Sequence, residues 1–428
     1  MKSAVATERP SVYFGPTQAT LVVLMFGFSV MSYFDRTILS IAGPEIMKEF
    51  AISPERMGWV YSAFILGYAV FMIPGGDVTD RLGPRKTLTL MGFAAGLFTA
   101  LTPLAATAIF ANILGVVAVL FTIRCVLGVL SAPLYPACAR MGAAWIHTVH
   151  QGRSQAFIIA GACLGGAVSP ILFRRMMEIY QWRGSFVVAA LATALLAFIW
   201  MAYVRTLPRE REQAIARRHE SRSWSRLLLN RNLILLTFAY FTLGYFEYIF
   251  FYWIYYYFGE VRHAGYDQSA RYTTIIFLTM MVMMPLGGWI SDKLTESYGP
   301  KFGRRVVPMV GLTTGALLLY LGTVTAQSQA AVALMAVAIG CTSVCEGPFW
   351  SLAIEIGEAK VGAAAGILNA GGNIGGFFSP IVTPYVASKA GWAWGLYVGG
   401  MLVILGAAAC YFVNPAEKRD GEEIHASA

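Results

Sequence analysis

The most constraining feature of this sequence is a succession of apolar segments of about 20 residues, the length of one membrane-spanning helix. Apolar residues run continuously through each segment and do not alternate with polar ones, which excludes a transmembrane β-barrel. The predicted fold class is therefore an all-α polytopic membrane protein. Its twelve transmembrane helices are expected at residues 17–41, 57–76, 87–106, 110–140, 154–177, 183–204, 232–258, 272–291, 306–325, 329–354, 362–388 and 392–413.

The composition supports this class. Hydrophobic residues make up 57% of the chain and charged residues 13%, whereas soluble domains average about 45–50% and about 25%. That excludes an ordinary cytoplasmic enzyme and a disordered protein. The six cysteines all fall in apolar segments, which predicts free buried thiols and excludes a disulfide scaffold.

The basic residues indicate the orientation of the chain. Of the 32 Lys and Arg residues, 22 lie on the side of the two termini and 8 on the opposite side. The positive-inside rule therefore places both termini in the cytoplasm. This topology signal also accounts for the net charge of +9, so the basic residues do not indicate nucleic-acid binding. The lipid bilayer is the partner that they imply.

A long polar stretch divides the chain into two six-helix halves. We predict an N-terminal bundle at residues 1–204, a cytoplasmic linker at 205–231, a C-terminal bundle at 232–413 and a cytoplasmic tail at 414–428. The linker is interpreted either as an amphipathic helix on the inner membrane surface or as a plain tether.

The two halves repeat one another. Gly165, Ser169 and Pro170 recur in the second half as Gly375, Ser379 and Pro380, and three further sets recur at nearly the same sequence offset. These sets are Trp182 with Trp392; Gly75, Gly76 and Asp80 with Gly287, Gly288 and Asp292; and Gly128, Ser131 and Pro136 with Gly340, Ser343 and Pro348. Parallel repeats of this kind support alternating access, with the substrate held near the midplane between the halves.

A short cytoplasmic turn after the second segment carries an acid followed by bases. We interpret it as a gating loop, in which an ionic latch would break when the halves move, or alternatively as a topology anchor. A second copy at Asp292 and Lys293, with Gly303, Arg304 and Arg305, supports the first interpretation. The loop residues are Gly76, Asp80, Arg81, Gly83, Arg85 and Lys86.

Five charged residues fall inside apolar segments, where each costs about 2.5–3.5 kcal/mol on insertion scales. They are Asp35, Arg36, Arg124, Glu247 and Glu346. Two arginines near one cavity form a carboxylate receptor, because each guanidinium donates two parallel hydrogen bonds. The alternative is a buried structural pair, such as Asp35 with Arg124. Asp35 is interpreted as a proton carrier or as half of a permanent salt bridge.

The gating loop resembles the signature loop of the major facilitator superfamily. The run Tyr33 to Arg36, Arg124 upstream of Ser131 to Pro136, and Gly366 to Gly372 resemble the anion:cation symporter family within it. That family includes bacterial carriers of galactonate, glucarate and hexuronates, carriers of aromatic acids, and vesicular glutamate transporters. The resemblance implies the two-bundle major facilitator fold. It also implies substrate contacts from Arg36 and Arg124, proton coupling at Asp35, and a cavity lined by Tyr33 and Asn369.

One position departs from the family pattern. Several members have a proton-coupling glutamate where this chain has Ser131, which does not titrate near neutral pH. Glu247 or Glu346 is our hypothesis for the replacement, because an unpaired intramembrane carboxyl is least costly when neutral. The alternatives are a carboxyl that is hydrogen-bonded only for packing, Asp35 acting by itself, or the loss of proton coupling.

The seventh segment is rich in tyrosines. Tyr245, Tyr248 and Tyr252 lie deep enough to offer hydroxyls or ring faces to a substrate, as Asn373 does in the eleventh segment. Tyr255 to Tyr257 are expected in an interfacial aromatic belt.

These observations predict a monomeric secondary transporter of a small organic anion, a sugar acid, driven by proton symport in a bacterial inner membrane. The alternatives are a carrier or exchanger of an aromatic acid or dicarboxylate, and a transporter-like sensor. The sequence contains no HExxH motif, nucleophile elbow, metal-ligand cluster or P-loop. An enzyme, a metal, another cofactor and ATP-driven transport are therefore not expected.

Overall fold

The computed structural model describes residues 14–106, 115–204, 227–357 and 361–414, and helices dominate these ranges. The helices are α1 (Pro16–Phe50), α2 (Pro54–Leu82), α3 (Pro84–Leu101), α4 (Val116–Ser131), α5 (Leu134–Trp145), α6 (Thr148–Tyr203), α7 (Arg231–Tyr252), α8 (Tyr266–Tyr298), α9 (Pro300–Val324), α10 (Ser328–Ser343), α11 (Glu346–Gly357), α12 (Val361–Ala390) and α13 (Trp392–Phe412). The predicted linker lies largely outside the described residues, and so do most of the tail and the start of the fourth predicted segment.

The helices agree with the twelve predicted spans. Helices α4 and α5 form one span that is broken at Ala132 and Pro133, and α10 and α11 form another. Helix α6 contains two spans, because Gln181 at φ 56° interrupts its helical geometry. In the described part of the chain, ten stretches are long and apolar enough to cross a membrane. These ten count α6 as one stretch and leave out the 30-residue α12. With the two spans of α6 taken separately and α12 added, the helices match the twelve predicted segments.

Proline and glycine mark equivalent turns in the two halves. Gly83 at φ 80° precedes Pro84, which begins α3, and Gly299 at φ 84° precedes Pro300, which begins α9. A positive φ is a conformation that glycine adopts without a steric penalty, and proline suits the first helical position. The counterpart of Gly83 is therefore Gly299. The sequence pattern had instead placed Gly303 in the second copy of the gating loop.

Repeated glycines also allow helices to approach closely. An added Cβ at Gly165 in α6 would lie 2.2 Å from the carbonyl oxygen of Val30 in α1. At Gly375 in α12 it would lie 2.0 Å from the carbonyl oxygen of Phe241 in α7. The same helix contact is thus built twice, as the internal repeat requires.

The chain divides into two compact units. Unit 1 comprises Met1–Ser221, Tyr248–Met281 and Phe377–Trp392. Unit 2 comprises Arg222–Glu247, Val282–Gly376 and Ala393–Ala428. The unit boundaries run through α7, α8 and α12, so they differ from the proposed halves at 1–204 and 232–413, which stay a prediction.

The prediction of an aromatic belt at residues 255–257 was wrong for two of its three members. Tyr255 is 2% exposed and Tyr257 is 3% exposed. Tyr255 belongs to the hydrophobic core of unit 1 and stacks on Tyr266 with ring centroids 6.1 Å apart. Core packing accounts for this aromatic cluster better than the membrane interface does. The six cysteines are free thiols, as predicted, but only Cys138, Cys345 and Cys410 are buried, whereas Cys125, Cys163 and Cys341 are partly exposed.

Candidate functional site

Arg36 lies on α1 inside unit 1 and is 5% exposed. Its guanidinium donates hydrogen bonds to the hydroxyls of Tyr248 and Tyr252, the latter over 3.4 Å. Three aromatic rings surround the same group, with centroids 5.4 Å away for Tyr33, 5.0 Å for Phe64 and 4.7 Å for Tyr248. Ring faces attract a cation electrostatically, most strongly where water is excluded. Predicted residues Tyr33, Arg36 and Tyr248 are thus brought together.

The charge on Arg36 has no carboxylate counter-ion among the residues that the structure describes. Phenol dipoles and ring faces hold the guanidinium, but they carry no net negative charge. A buried charge without a partner of opposite sign is costly. The arrangement therefore offers an anion both charge neutralisation and directional donors.

Arg124 on α4 has different contacts. It is fully buried, and its two terminal nitrogens donate to main-chain oxygens of α1, over 2.9 Å to Asp35 and 2.6 Å to Arg36. Its Nε has no hydrogen-bond partner among the described residues. The guanidinium therefore ties α4 to α1 at the turn that carries Arg36.

Asp35 is 2% exposed, and its Oδ2 accepts a hydrogen bond of 2.8 Å from the hydroxyl of Thr193 on α6. Asp35 and Arg124 do not form the salt bridge that the sequence left open as an alternative. Oδ1 of Asp35 has no partner within the described ranges. Asp35 and Ser131 both line a cavity of about 10 Å³, which is close to the space that one water molecule needs. Ser131 itself donates to the carbonyl oxygen of Leu127 over 2.7 Å.

Unit 2 contains the other two intramembrane acids. The Tyr240 hydroxyl and the Trp350 indole both donate to Oε2 of Glu346, over 3.1 Å and 3.0 Å. Glu247 is 7% exposed, and its Oε1 has no hydrogen-bond partner in the described part of the chain. Glu346 therefore accepts two side-chain hydrogen bonds at one oxygen, whereas one oxygen of Glu247 accepts none from the described residues.

Three further predicted residues also lie in unit 2. Asn373 donates through Nδ2 to the main-chain oxygen of Asn369 over 2.9 Å, one turn earlier on α12. Tyr245 on α7 is 2% exposed. The two asparagines thus lie one turn apart on the same face of α12. Their contact with the substrate stays a prediction.

The gating-loop acids have well-defined partners. Asp80 pairs with Arg140 of α5 at 2.5 Å, and Asp292 pairs with Arg304 of α9 at 2.6 Å. Arg85 donates to the carbonyl oxygen of Met201 over 2.8 Å. The remaining loop residues are the exposed Arg81 and Lys86, the partly buried Gly76 and the buried turn residue Gly83. The structure thus pairs Asp80 with a base at the end of the fourth span, outside its own loop.

Three residues and one contact around these groups were missed from the sequence. Tyr252 was predicted to face a substrate, but its hydrogen bond from Arg36 was not foreseen, although its place one helical turn after Tyr248 was a usable signal. Thr193, Phe64 and Arg140 carry no such signal, because they come from other helices and meet their partners only after packing.

Comparison with known proteins identifies similar chains. The family model of the Major Facilitator Superfamily matches residues 25–357 and 297–427. The probable sulfoacetate transporter SauU of Cupriavidus necator is 29% identical over 419 residues, which cover 92% of this chain and 95% of that protein. The hexuronate transporter of Bacillus subtilis is 26% identical, over 94% of this chain and 96% of that protein.

A solved structure has the same fold. The crystal structure of a bacterial homologue of the human lysosomal transporter Spinster has a TM-score of 0.77 against this chain. The two are 16% identical, and the match covers 94% of this chain and 97% of the other. At this identity the likeness concerns the fold alone.

Proposed function

Because this chain belongs to the Major Facilitator Superfamily, we propose that it is a secondary active transporter of a small organic anion, with a sugar acid as its substrate. It works by alternating access as a monomer in a bacterial inner membrane, with both termini in the cytoplasm. Curated relatives named as hexuronate and D-galactonate transporters support this substrate class. The superfamily consists of transporters, so the chain is not an enzyme.

The observation that carries the proposal is the environment of Arg36. A buried guanidinium is held by tyrosine hydroxyls and ring faces, and no described carboxylate neutralises it. The substrate carboxylate supplies the missing negative charge. Arg124 supports the site indirectly, since its donors hold the α1 turn in place.

Proton symport is the coupling that we propose. Asp35 follows Tyr33 and Phe34 on the same helix turn as Arg36, and one of its carboxylate oxygens lacks a partner among the described residues. Uptake of a proton there removes a negative charge that would repel the carboxylate of the incoming substrate. Proton and anion then cross together, and the charge that is buried during the cycle stays small.

A second candidate substrate class is favoured by one comparison. The curated relative named as a probable sulfoacetate transporter suggests a short acid with two anionic groups, instead of a polyol acid. The two classes differ in hydroxyl content and charge, and a ligand screen therefore separates them.

The experiment is a thermal-shift screen of the detergent-purified protein against glucuronate, galactonate, sulfoacetate, benzoate and glucose. Ligand present at about 100 times its Kd stabilises the folded state by about 2.7 kcal/mol. We expect one class of acid to raise the melting temperature of the wild type. Arg36→Gln should weaken that binding by about 10-fold or more, because a hydrogen bond to a charged group contributes about 1.5–3 kcal/mol.

Uptake of the stabilising acid into proteoliposomes, with and without an inward proton gradient, completes the test. Flux that follows the gradient supports symport and separates a carrier from a sensor. A shift with glucose alone, or equal binding by Arg36→Gln, would contradict the organic-anion assignment.

A further inference from the structure

Unit 1 combines helices from both halves of the sequence. Besides Met1–Ser221 it contains Tyr248–Met281 and Phe377–Trp392, which include the end of α7, the first part of α8 and the last part of α12. The proposed topology places these segments toward the outer side of the membrane. Contacts inside unit 1 therefore describe how the two sequence halves meet on that side.

Polar contacts join the halves there. Arg174 of α6 pairs with Glu45 of α1 at 3.1 Å and with Asp267 of α8 at 2.9 Å. The Ser62 hydroxyl of α2 donates to the main-chain oxygen of Phe377 in α12 over 2.7 Å. Inside unit 1 the second-half segments are thus closed against the first half on the side that the proposed topology places outside.

The hydrogen bonds of Arg36 belong to the same set of contacts. Its guanidinium, on α1, donates to the hydroxyls of Tyr248 and Tyr252, on α7. The Tyr252 ring is 1% exposed and stacks on Tyr61 of α2, with ring centroids 5.2 Å apart. The two tyrosines therefore join the sequence halves through the same guanidinium that we propose as the anion site.

Phenols and a substrate carboxylate compete for the same donors. Tyr252 accepts from Nε of Arg36 and Tyr248 accepts from Nη2. These two nitrogens form one edge of the guanidinium, to which a carboxylate binds with two parallel hydrogen bonds. The two phenol oxygens thus occupy the place of the two carboxylate oxygens.

The difference in charge decides which partner prevails. A guanidinium without any acceptor is costly in the membrane interior, and the phenol oxygens reduce that cost. A carboxylate accepts the same hydrogen bonds and adds the attraction of a full negative charge. The phenols are therefore strong enough to hold Arg36, yet weak enough to yield to an anion.

We propose that Tyr248 and Tyr252 are a surrogate ligand of Arg36: their hydroxyls satisfy the guanidinium while the carrier has no substrate, and the substrate carboxylate displaces them. The carrier can then return across the membrane without an unpaired buried charge. Displacement also releases a contact between the two sequence halves when substrate binds. This inference rests on the transport function proposed above, and it assigns both hydroxyls to the return step instead of to substrate recognition.

The test removes both hydroxyls from the full chain and keeps the rings, as Tyr248→Phe combined with Tyr252→Phe. Without ligand, this double variant should melt at a lower temperature than the wild type, because a charged donor loses its acceptors. In the Arg36→Gln background the same two substitutions should change the melting temperature much less.

Binding is measured by calorimetric titration with glucuronate, galactonate and sulfoacetate. The acid that binds the wild type should bind the double variant with a Kd about 10-fold lower, because the competing acceptors are gone. A direct contact between the hydroxyls and the substrate predicts the opposite change. The direction of the shift in Kd therefore separates a surrogate ligand from a substrate contact.

Transport in proteoliposomes separates the return step from substrate translocation. Net uptake requires the carrier to return without substrate, whereas exchange of labelled for unlabelled acid does not. Net uptake by the double variant should therefore fall about 10-fold more than exchange. Tyr61→Phe is the matched control, because its buried hydroxyl has no partner among the described residues. It should keep the wild-type Kd and the wild-type ratio of uptake to exchange.

Three outcomes would overturn the proposal. A higher Kd with equal losses of uptake and exchange would mean that the hydroxyls contact the substrate. An unchanged Kd would mean that they do not compete with it, and an unchanged melting temperature without ligand would mean that they do not satisfy Arg36.

Two provisions keep these results decisive. If the double variant fails to fold, Tyr252→Phe removes only the 3.4 Å hydrogen bond and should show the same shifts at smaller size. If no acid binds the wild type, the transport assignment fails, whereas the melting temperatures without ligand still test the contact between Arg36 and the tyrosines.

Discussion

Arg36 and Arg124 are both buried in unit 1, yet their contacts give them different tasks. Arg36 faces phenol hydroxyls and rings, which leave its positive charge available to an anion. Arg124 uses its terminal nitrogens on main-chain oxygens of α1. The first guanidinium is suited to bind a ligand, and the second is suited to hold the helix that presents the first.

This difference predicts the effect of lysine at each position. Arg124→Lys loses the planar fork that reaches two carbonyl oxygens, so it retains at most one of those bonds. We expect the free energy of unfolding without ligand to fall by about 1.5–3 kcal/mol, as a lower melting temperature. Arg36→Lys should change this temperature less, but it should weaken ligand binding more.

The comparison needs both variants in the same detergent. If Arg124→Lys lost as much ligand binding as Arg36→Lys and kept the wild-type melting temperature, Arg124 would contact the substrate directly.

At the scale of helices, glycines set how closely the spans approach. Gly165 and Gly375 occupy matching positions in the repeat, and each leaves no room for a Cβ against the main chain of the neighbouring helix. Small residues at such contacts are typical of membrane proteins, where close packing replaces the hydrophobic effect as the source of helix association.

The neighbouring pair Gly165 and Gly166 provides a matched test. Gly165→Ala places a methyl group 2.2 Å from the carbonyl oxygen of Val30, which forces α1 and α6 apart. Overpacking of this kind costs about 1–3 kcal/mol. Gly166→Ala meets only Phe251 at 3.6 Å and should be neutral or stabilising, since alanine favours a helix by about 0.5–1 kcal/mol over glycine.

Thermal unfolding of the two purified variants checks this expectation. Equal melting temperatures for both variants would mean that the contact at Gly165 relaxes without cost.

At the scale of the whole molecule, orientation follows from charge. The side that carries the termini holds 22 of the 32 basic residues, and the opposite side holds 8. We expect green fluorescent protein fused after Ala428 to fluoresce in Escherichia coli and alkaline phosphatase fused there to be inactive, because this distribution of charge predicts a cytoplasmic C-terminus. The reverse result would show that the C-terminus lies outside the cytoplasm. A fusion in the predicted outer loop that follows α1 serves as the opposite control.

Much of this architecture could be read from the chain. The all-helical membrane fold, the free cysteines and the family were predicted and confirmed, because the length of an apolar segment and the spacing of a motif are properties of consecutive residues. The segment containing Tyr255 was read wrongly as a membrane belt, since burial in protein and burial in lipid select the same aromatic residues.

The sequence by itself determined which helices form, and which charges are placed inside the membrane. Only the tertiary structure decided the partner of each charge: Thr193 for Asp35, the α1 main chain for Arg124, Tyr240 for Glu346 and Arg140 for Asp80. Helix formation depends on neighbouring residues along the chain. The partner of a buried charge depends on the rotation and packing of helices that lie far apart in the sequence, and short-range sequence patterns do not encode that geometry.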